Sequence, residues 1–263
     1  NMEKVLVGVP TYKYMKYCEE EFFEVIKNLS YNNYDVLIIE NSEEDDYFNE
    51  LKKYGFKLIK DETSETNKLL RLVSSRNLII EYALKNNYDY ILMMDSDVIP
   101  PKDIIERLLA HKKNIVSGLY FNFIMNSGKP KILPIAWRGI TKEEFEEIKK
   151  VAVLPAIVKS HEDLRRHLTP EEVSTNELLE VRYPSAGCML IKKDVFEKVR
   201  YGLLDMTGIN ALTTEDVYFI KKAIESGFKV YCDTSLKCFH HVLKKDKNGN
   251  FIHPIDPNYN KIG

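Results

Sequence analysis

Short apolar runs and amphipathic stretches alternate along the first 120 residues. The apolar runs lack alternation of apolar and polar residues, which is typical of strands buried on both faces of a parallel sheet. Five runs show this pattern: KVLVGV (4–9), YDVLIIE (34–40), FKLIK (56–60), YDYILMMD (88–95) and NIVSGLYF (114–121). Amphipathic stretches separate them, and apolar residues at helical spacing predict the longest helix over about 66–86. The pattern predicts a doubly wound α/β fold with a mostly parallel central sheet and helices on both faces.

The pattern weakens after about residue 125, and we expect the second half to complete a site formed by the first within one domain, 1–263. The segment at about 155–180 is polar and predicted irregular. Thr141 and Glu144 form a capping-box pattern at the start of TKEEFEEIKK, which predicts a short helix. Another helix is predicted from Thr213 or Thr214 to Gly227. Four further strands are predicted: KPKILPIAW (129–137), AGCMLI (186–191), FKVYCD (228–233) and LKCFHHV (236–242).

The composition is that of an ordinary globular protein, with 263 residues, 44% hydrophobic and 30% charged. A net charge of -2 gives no strong field to attract nucleic acid. The apolar stretches are shorter than the roughly 20 residues that span a bilayer, and the N-terminus lacks the layout of a signal peptide. The four cysteines form no CxxC pair, which is typical of buried thiols in a reducing compartment. We therefore expect a cytoplasmic location.

Two aspartates, Asp95 and Asp97, directly follow the apolar run YDYILMM. Ligands of open α/β sheets bind just outside the carboxyl ends of the strands, where this pair is predicted to lie. Hard divalent cations such as Mg²⁺ or Mn²⁺ bind carboxylate oxygens together with substrate phosphates. The pattern therefore predicts a metal held against a diphosphate. The alternative is that Asp97 only caps a helix beginning near Pro101.

Two other groups of residues carry candidate chemistry. Glu215 and Asp216 lie in the first turn of a predicted helix, where one of them can act as a general base. The alternative is that both only interact favourably with the helix dipole. His240 and His241 are adjacent on a predicted strand and therefore point to opposite faces, so at most one joins a given site. A neutral imidazole is a good ligand for Mn²⁺-like ions.

These motifs, in this order, resemble a GT-A fold glycosyltransferase of the family 2-like group over about residues 4–125 and 183–242. The similar stretches are VGVPTYK, LIIENSEED, SSRN, ILMMDSDV, SAGCMLIKKDVFEKV, TEDVYF and DTSLKCFHH. The resemblance implies a nucleotide-sugar-binding half at about 1–125. It also implies an acceptor-binding and catalytic half at about 126–263, whose variable segment, about 129–182, matches nothing in the family.

The resemblance also implies roles for individual residues. Those assigned to the nucleotide sugar are Pro10, Thr11, Tyr12, Glu40, Asn41, Arg76, Asp95 and Ser96. Those assigned to a divalent metal are Asp95, Asp97 and His240, which the alignment from Asp233 favours over His241. Asp216, beside Glu215, is the implied catalytic base, and Gly187 faces the acceptor. Trp137, the only tryptophan, is either an acceptor-stacking ring or a core residue.

The implied activity is metal-dependent transfer of a sugar from a UDP- or GDP-sugar to an acceptor hydroxyl, with inversion. The metal is Mn²⁺ or Mg²⁺, and the acceptor is a glycan, lipid, protein or small molecule. One alternative is a non-catalytic module that binds nucleotide sugars or glycans. Another is a sugar nucleotidyltransferase, but that chemistry requires a glycine-rich loop after the first strand, where only Gly8 is present. The chain also departs from the family in having Glu40 where an aspartate is usual.

Overall fold

The apolar runs form buried strands, as their lack of alternation predicts. The structure, a computed structural model, describes residues 2–126, 129–156, 158–204, 214–241, 244–245, 247–248 and 251–252. Its strands are β1 Val5–Thr11, β2 Tyr34–Glu40, β3 Lys57–Lys60, β4 Tyr90–Met94, β5 Val98–Ile99, β6 Ile115–Leu119, β7 Phe121–Asn126, β8 Lys129–Pro134, β9 Trp137–Gly139, β10 Arg165–His167, β11 Leu178–Val181, β12 Cys188–Lys192, β13 Val230–Lys237, β14 Phe239–His240, β15 Lys244–Lys245 and β16 Phe251–Ile252.

Helices connect the strands. They are α1 Glu19–Lys27, α2 Asp46–Leu51, α3 Lys68–Lys85, α4 Ile104–Ala110, α5 Lys142–Val151, α6 Pro170–Ser174, α7 Lys193–Phe196 and α8 Glu215–Glu225, with 3-10 helices at Lys13–Cys18, Lys52–Tyr54 and His161–Asp163. The predicted capping box of Thr141 and Glu144 is present at the start of α5. Helix α8 begins after Thr214, one of the two predicted caps. Gly227 follows its end with a φ of 89°, a left-handed conformation that favours glycine.

The central sheet has eight strands in the order β11-β13-β6-β12-β4-β1-β2-β3. Strands β4, β1, β2 and β3 are parallel neighbours, and β13 is parallel to β6. Strand β12 runs antiparallel between β4 and β6, and β11 is antiparallel to β13. The carboxyl ends of six strands therefore meet at one edge, together with the beginning of β12. In such sheets this is the edge where ligands bind.

Helices cover both faces of the sheet. Alternate residues of β1 contribute to two buried apolar clusters, one on each face. On one face α3 packs so close to β1 that a Cβ on Gly8 would lie 2.3 Å from Ile79 Cγ2. On the other face, Phe22, Phe23 and Ile26 of α1 are fully buried. Each such side chain contributes about 1.5–3 kcal/mol of hydrophobic stabilisation, which fixes the strand ends that carry the candidate site.

Two predictions for the second half differ from the structure. FKVYCD and LKCFHHV were predicted as two separate strands, but Val230–Lys237 is one continuous strand with a register shift between Cys232 and Lys237. The break comes later, at Cys238, after which β14 pairs with β5. The segment at 155–180 contains regular elements, and β11, which begins within it, lies at the sheet edge. Short polar strands at an edge lack the apolar run by which buried strands are recognised.

All four cysteines are buried free thiols. Within the described residues, no helix combines the length and the apolar character that a bilayer span requires.

Candidate active site

The two aspartates of the D-S-D stretch lie at the carboxyl edge of the sheet, directly after β4. The N–H of Asp95 donates to the carbonyl of Gly187, and the carbonyl of Asp95 accepts from the N–H of Val98. A tight turn is thereby fixed between β4 and β5. The alternative role for Asp97 as a helix cap is wrong, because α4 begins at Ile104 with Asp103 as its N-cap.

His240 faces Asp97, whereas His241 points elsewhere. His240 Nε2 lies 3.4 Å from Asp97 Oδ2, and its Nδ1 lies 3.0 Å from the carbonyl oxygen of Phe121. Because a carbonyl only accepts, Nδ1 carries a hydrogen and Nε2 is the nitrogen presented to Asp97. His241 Nε2 instead lies 2.7 Å from Glu21 Oε2. Burial lowers the pKa of His240, but the hydrogen bond and the charge of Asp97 more than offset this and leave the pKa raised.

The Asp97–His240 pair has the donor chemistry of half a divalent-metal site. Two ligands of one Mn²⁺ ion, each at about 2.1 Å and at a right angle, lie about 3 Å apart, close to the 3.4 Å between these two atoms. No group of three or more His, Cys, Asp or Glu residues suited to a metal occurs among the described residues. Further ligands would therefore come from a substrate phosphate and water, which is usual for Mg²⁺-type sites.

Asp95 and Glu215 are joined by Arg76, which lies between them. Arg76 Nη2 donates to Asp95 Oδ1 at 2.7 Å, and Arg76 Nε donates to Glu215 Oε1 at 3.0 Å. Burial lowers the pKa of Arg76, but the two carboxylates raise it well above its usual value. Both Arg76 and Glu215 are buried, so neither is presented to a ligand in this conformation. The structure brings Arg76 to Asp95, and its nucleotide contact stays a prediction.

Asp216 differs from Glu215 in what its carboxylate can do. Burial raises the pKa of Glu215 despite the opposing charge of Arg76. Asp216 is only half-buried, and its Oδ1 accepts from the N–H of Val217 and from the hydroxyl of Thr214. Among the described residues, Asp216 Oδ2 has no hydrogen-bond partner. Of the two acids, Asp216 is therefore the one whose geometry suits proton abstraction.

Gly187 and Tyr120 close the inner wall of the site. A Cβ on Gly187 would lie 2.7 Å from both Asp95 Oδ2 and the hydroxyl oxygen of Tyr120, so any larger residue there would displace these side chains. The N–H of Gly187 donates to that hydroxyl at 2.9 Å, and the Tyr120 ring lies 4.9 Å from the His240 ring. The sequence interpretation missed Tyr120, because a tyrosine ending an apolar strand is indistinguishable from a core residue.

A cavity of about 420 Å³ opens beside the ends of β1 and β2. Its lining residues are Tyr12, Lys13, Tyr14, Met15, Asn41, Ser42, Glu43, Thr66, Lys68, Leu69, Arg71 and Leu72. Thr11 joins this region to the D-S-D turn through a 3.1 Å contact between its hydroxyl and that of Ser96. Two of the predicted nucleotide-contacting residues, Tyr12 and Asn41, thus line a cavity next to the candidate metal ligands.

Pro10 and Glu40 do not line this cavity. Pro10 is buried within β1. Glu40 is fully buried, and its carboxylate accepts from the N–H of Ser42 at 2.8 Å and from Lys60 Nζ at 2.7 Å. Both carboxylate oxygens are therefore used inside the protein. The identity of a residue at a strand end does not indicate whether its side chain points into the protein. The burial of the Glu40 carboxylate could therefore not be predicted from the sequence.

A match to a protein family model shows which family the chain belongs to. The model of glycosyl transferase family 2 matches residues 6–200. The chain belongs to glycosyl transferase family 2.

Two solved structures resemble the protein. The structure of GalNAc-T7 with UDP, GalNAc and Mn²⁺ has a TM-score of 0.59 and 16% identity, covering 91% of this chain and 44% of that one. The structure of S. aureus TarS with UDP-GlcNAc has a TM-score of 0.50 and 15% identity, covering 90% of this chain and 58% of that one. The chain thus spans about half the length of each. With the family match, these likenesses confirm the GT-A fold. No curated protein sequence matches the chain.

The family 2 match changes the interpretation of the variable segment. The matched region includes residues 129–182, whose motifs showed no similarity to the family. It ends before α8 and β14. The segment therefore lies inside the matched region. The positions of Asp216 and His240 rest on the structure, because both residues lie beyond the match.

Trp137 lies within this segment and is half-buried. Its ring centroid is 4.9 Å from that of His167, and the Arg165 guanidinium lies 4.8 Å from it. The structure does not bring it into contact with the aspartates, Arg76 or Asp216 among the described contacts. Its predicted role on the acceptor side stays a prediction.

Proposed function

We propose that the protein transfers a sugar from a UDP-sugar to an acceptor hydroxyl, with a divalent metal and with inversion at the anomeric carbon. The observation that carries the proposal is the meeting of three features at one sheet edge. These are the 420 Å³ cavity, the Asp97–His240 pair and the Asp216 Oδ2 atom, which has no hydrogen-bond partner among the residues that the structure describes. The two similar structures hold UDP or UDP-GlcNAc, which supports uridine as the nucleoside.

In this mechanism Asp216 Oδ2 accepts the proton of the acceptor hydroxyl as that oxygen attacks the anomeric carbon. A new carbon–oxygen bond forms, and the bond from the anomeric carbon to the diphosphate oxygen breaks. The electron pair of that bond leaves with UDP. Attack opposite the leaving group gives inversion in a single step.

The remaining residues bind and orient the donor. The cavity beside Tyr12 and Asn41 accommodates the nucleoside, with the diphosphate directed toward the D-S-D turn. Asp97 and His240 would hold Mn²⁺ or Mg²⁺. When bound there, the cation would neutralise the charge that develops on the departing diphosphate. Asp95 is held in place by Arg76 and by the carbonyl of Gly187, and its Oδ2 lies beside Gly187.

Release of the nucleotide from UDP-, GDP- and CDP-sugars, with Mn²⁺ and then with a chelator, tests the proposal. We expect release from a UDP-sugar that the chelator stops and that Asp97→Ala abolishes, along with Mn²⁺-dependent UDP binding. Asp194→Ala is the matched control. Among the described residues this exposed aspartate forms its ion pair with Lys192, whose strand position is opposite Tyr90 at the other end of β4. Release that persists in chelator and in Asp97→Ala would contradict the metal assignment. UDP-sugar binding without release, with acceptors supplied, would instead indicate a binding module.

A further inference from the structure

The Arg76 side chain connects three elements that carry different parts of the site. It projects from α3, and its two hydrogen-bonded carboxylates belong to Asp95 after β4 and to Glu215 at the start of α8. The guanidinium carbon lies 5.5 Å from the centroid of the Tyr201 ring, and that ring stacks on Phe219 of α8 at 4.3 Å. Polar and apolar contacts from Arg76 thus converge on the same helix.

The guanidinium is enclosed, which separates its role from ligand binding. Its side chain is 3% exposed, and Nη1 is buried with no hydrogen-bond partner among the described residues. Burial of a guanidinium removes its hydration, and the two carboxylates offset that loss. Contact with a nucleotide would require the enclosing groups to move. What the guanidinium does in this conformation is to fix two carboxylates relative to one another.

We propose that Arg76 is a positioning residue. It fixes helix α8, which carries the base Asp216, relative to Asp95 in the D-S-D turn, and Glu215 is the residue of α8 that it binds. The inference rests on the proposed function, because the proposed function assigns Asp216 as the base. Glu215 and Asp216 are consecutive in the first turn of α8, so holding Glu215 fixes the place of Asp216. Arg76 holds Asp95 through a second nitrogen, Nη2, of the same planar group. The distance between base and donor is therefore set through one side chain.

The shape of the guanidinium makes this role specific to arginine. Its nitrogens lie in a rigid plane, so Nε and Nη2 reach two carboxylates at once. A lysine carries the same charge on a single nitrogen and cannot reproduce the fork. A displacement of about 1 Å at a catalytic group can lower a rate by about 100-fold. Arg76→Lys therefore keeps the buried charge and removes the geometry.

The first experiment compares Arg76→Lys and Glu215→Gln with the wild type. Glu81→Gln is the matched control, since Glu81 lies on the same helix as Arg76 and accepts from Arg200 Nε at the same 3.0 Å, but is 62% exposed. UDP binding with Mn²⁺, measured by calorimetry, gives the number of competent sites, and kcat is expressed per site. We expect Arg76→Lys to lower kcat about 100-fold and Glu215→Gln about 10-fold. We expect the UDP Kd to change less than threefold, and Glu81→Gln to leave both unchanged.

A double-mutant cycle with Asp216→Asn distinguishes positioning from general structural damage. If Arg76 acts by placing Asp216, Arg76→Lys lowers the residual rate of Asp216→Asn by less than threefold. Rate losses that multiply, or a loss of UDP-binding sites that matches the loss of rate, would overturn the proposal. A wild-type rate for Asp216→Asn alone would overturn the base assignment and this inference with it. A lost rate for Asp216→Asn with a wild-type kcat for Arg76→Lys would overturn this inference alone.

Discussion

Two ion-pair triads in this protein have opposite composition and opposite surroundings. In the buried triad, one arginine, Arg76, binds two carboxylates at the candidate active site. In the surface triad, one carboxylate, Glu172, binds two arginines, Arg138 and Arg166, at 2.9 Å each. Arg138 and Arg166 are paired residues of β9 and β10, and Glu172 lies in α6. The surface triad therefore attaches a small two-stranded sheet to a short helix.

The two triads differ in the solvent exposure of their charged side chains and in the groups that they position. The side chains of Arg138 and Arg166 are 42% and 33% exposed, so they keep part of their hydration. Arg76 and Glu215 have lost nearly all of theirs, and a buried ion pair of this kind rarely adds net stability over an apolar substitute. The surface triad is a scaffold interaction. The buried triad is better explained by the placement of chemical groups than by stability.

The largest predicted difference is in the cost of removing the arginine. Arg76→Ala leaves Asp95 and buried Glu215 without their cation, and we expect it to lower the free energy of unfolding by about 3–5 kcal/mol. Arg166→Ala leaves Glu172 its bond to Arg138, and we expect a loss below about 1 kcal/mol. Urea unfolding of both variants measures this. Equal losses would remove the distinction between the two triads.

A smaller effect is predicted from the pH dependence of the surface triad. The hydrogen bond from Arg166, with those from the N–H of Thr169 and from Arg138, lowers the pKa of Glu172 to about 2. Since the folded pKa lies below the unfolded one, the stabilisation is complete above about pH 5 and is lost as pH falls toward 2. We expect Glu172→Gln to cost about 1–2 kcal/mol at pH 7, after screening by solvent. Thermal melts across this range check whether the cost fades in acid; a constant cost would contradict the assignment.

The smallest effect concerns the capping box at α6. The Thr169 hydroxyl accepts from the N–H of Glu172, and the Glu172 carboxylate accepts from the N–H of Thr169. We expect Thr169→Ala to cost about 1 kcal/mol and to leave kcat unchanged, since α6 serves the scaffold. Thr141→Ala, in the equivalent capping box of α5, is the control. A kcat loss in Thr169→Ala alone would show that the surface triad also reaches the site.

The sequence predicted the parallel half of the fold well, for a physical reason. Strands buried on both faces must be continuously apolar, and the helices between them must have one apolar face, so both leave a pattern. The edge strands β9, β10 and β11 are short and partly exposed. Their place is set by contacts with distant residues, such as that between Trp137 and Tyr183, and no local pattern records such contacts.

The candidate site was predicted by residue type but not by orientation. Asp97 and His240 were predicted together, and the structure places them in contact. The inward turn of Glu40 depends on Lys60, twenty residues away. Glu215 and Asp216 are neighbours of the same charge, and their environments differ because Glu215 is buried against Arg76 whereas Asp216 is only half-buried. Tyr120 was missed because its hydroxyl is used by Gly187, which is distant in sequence.

The most direct test of the proposed function is the comparison of Asp216→Asn with the wild type for UDP binding and for sugar transfer. Asparagine keeps the size and the hydrogen bonding of Oδ1 but cannot take a proton. We expect an unchanged UDP Kd in Mn²⁺ and a kcat lowered by about 10²–10⁴-fold, the range for loss of a general base. A variant that binds UDP and transfers sugar at the wild-type rate would contradict the account.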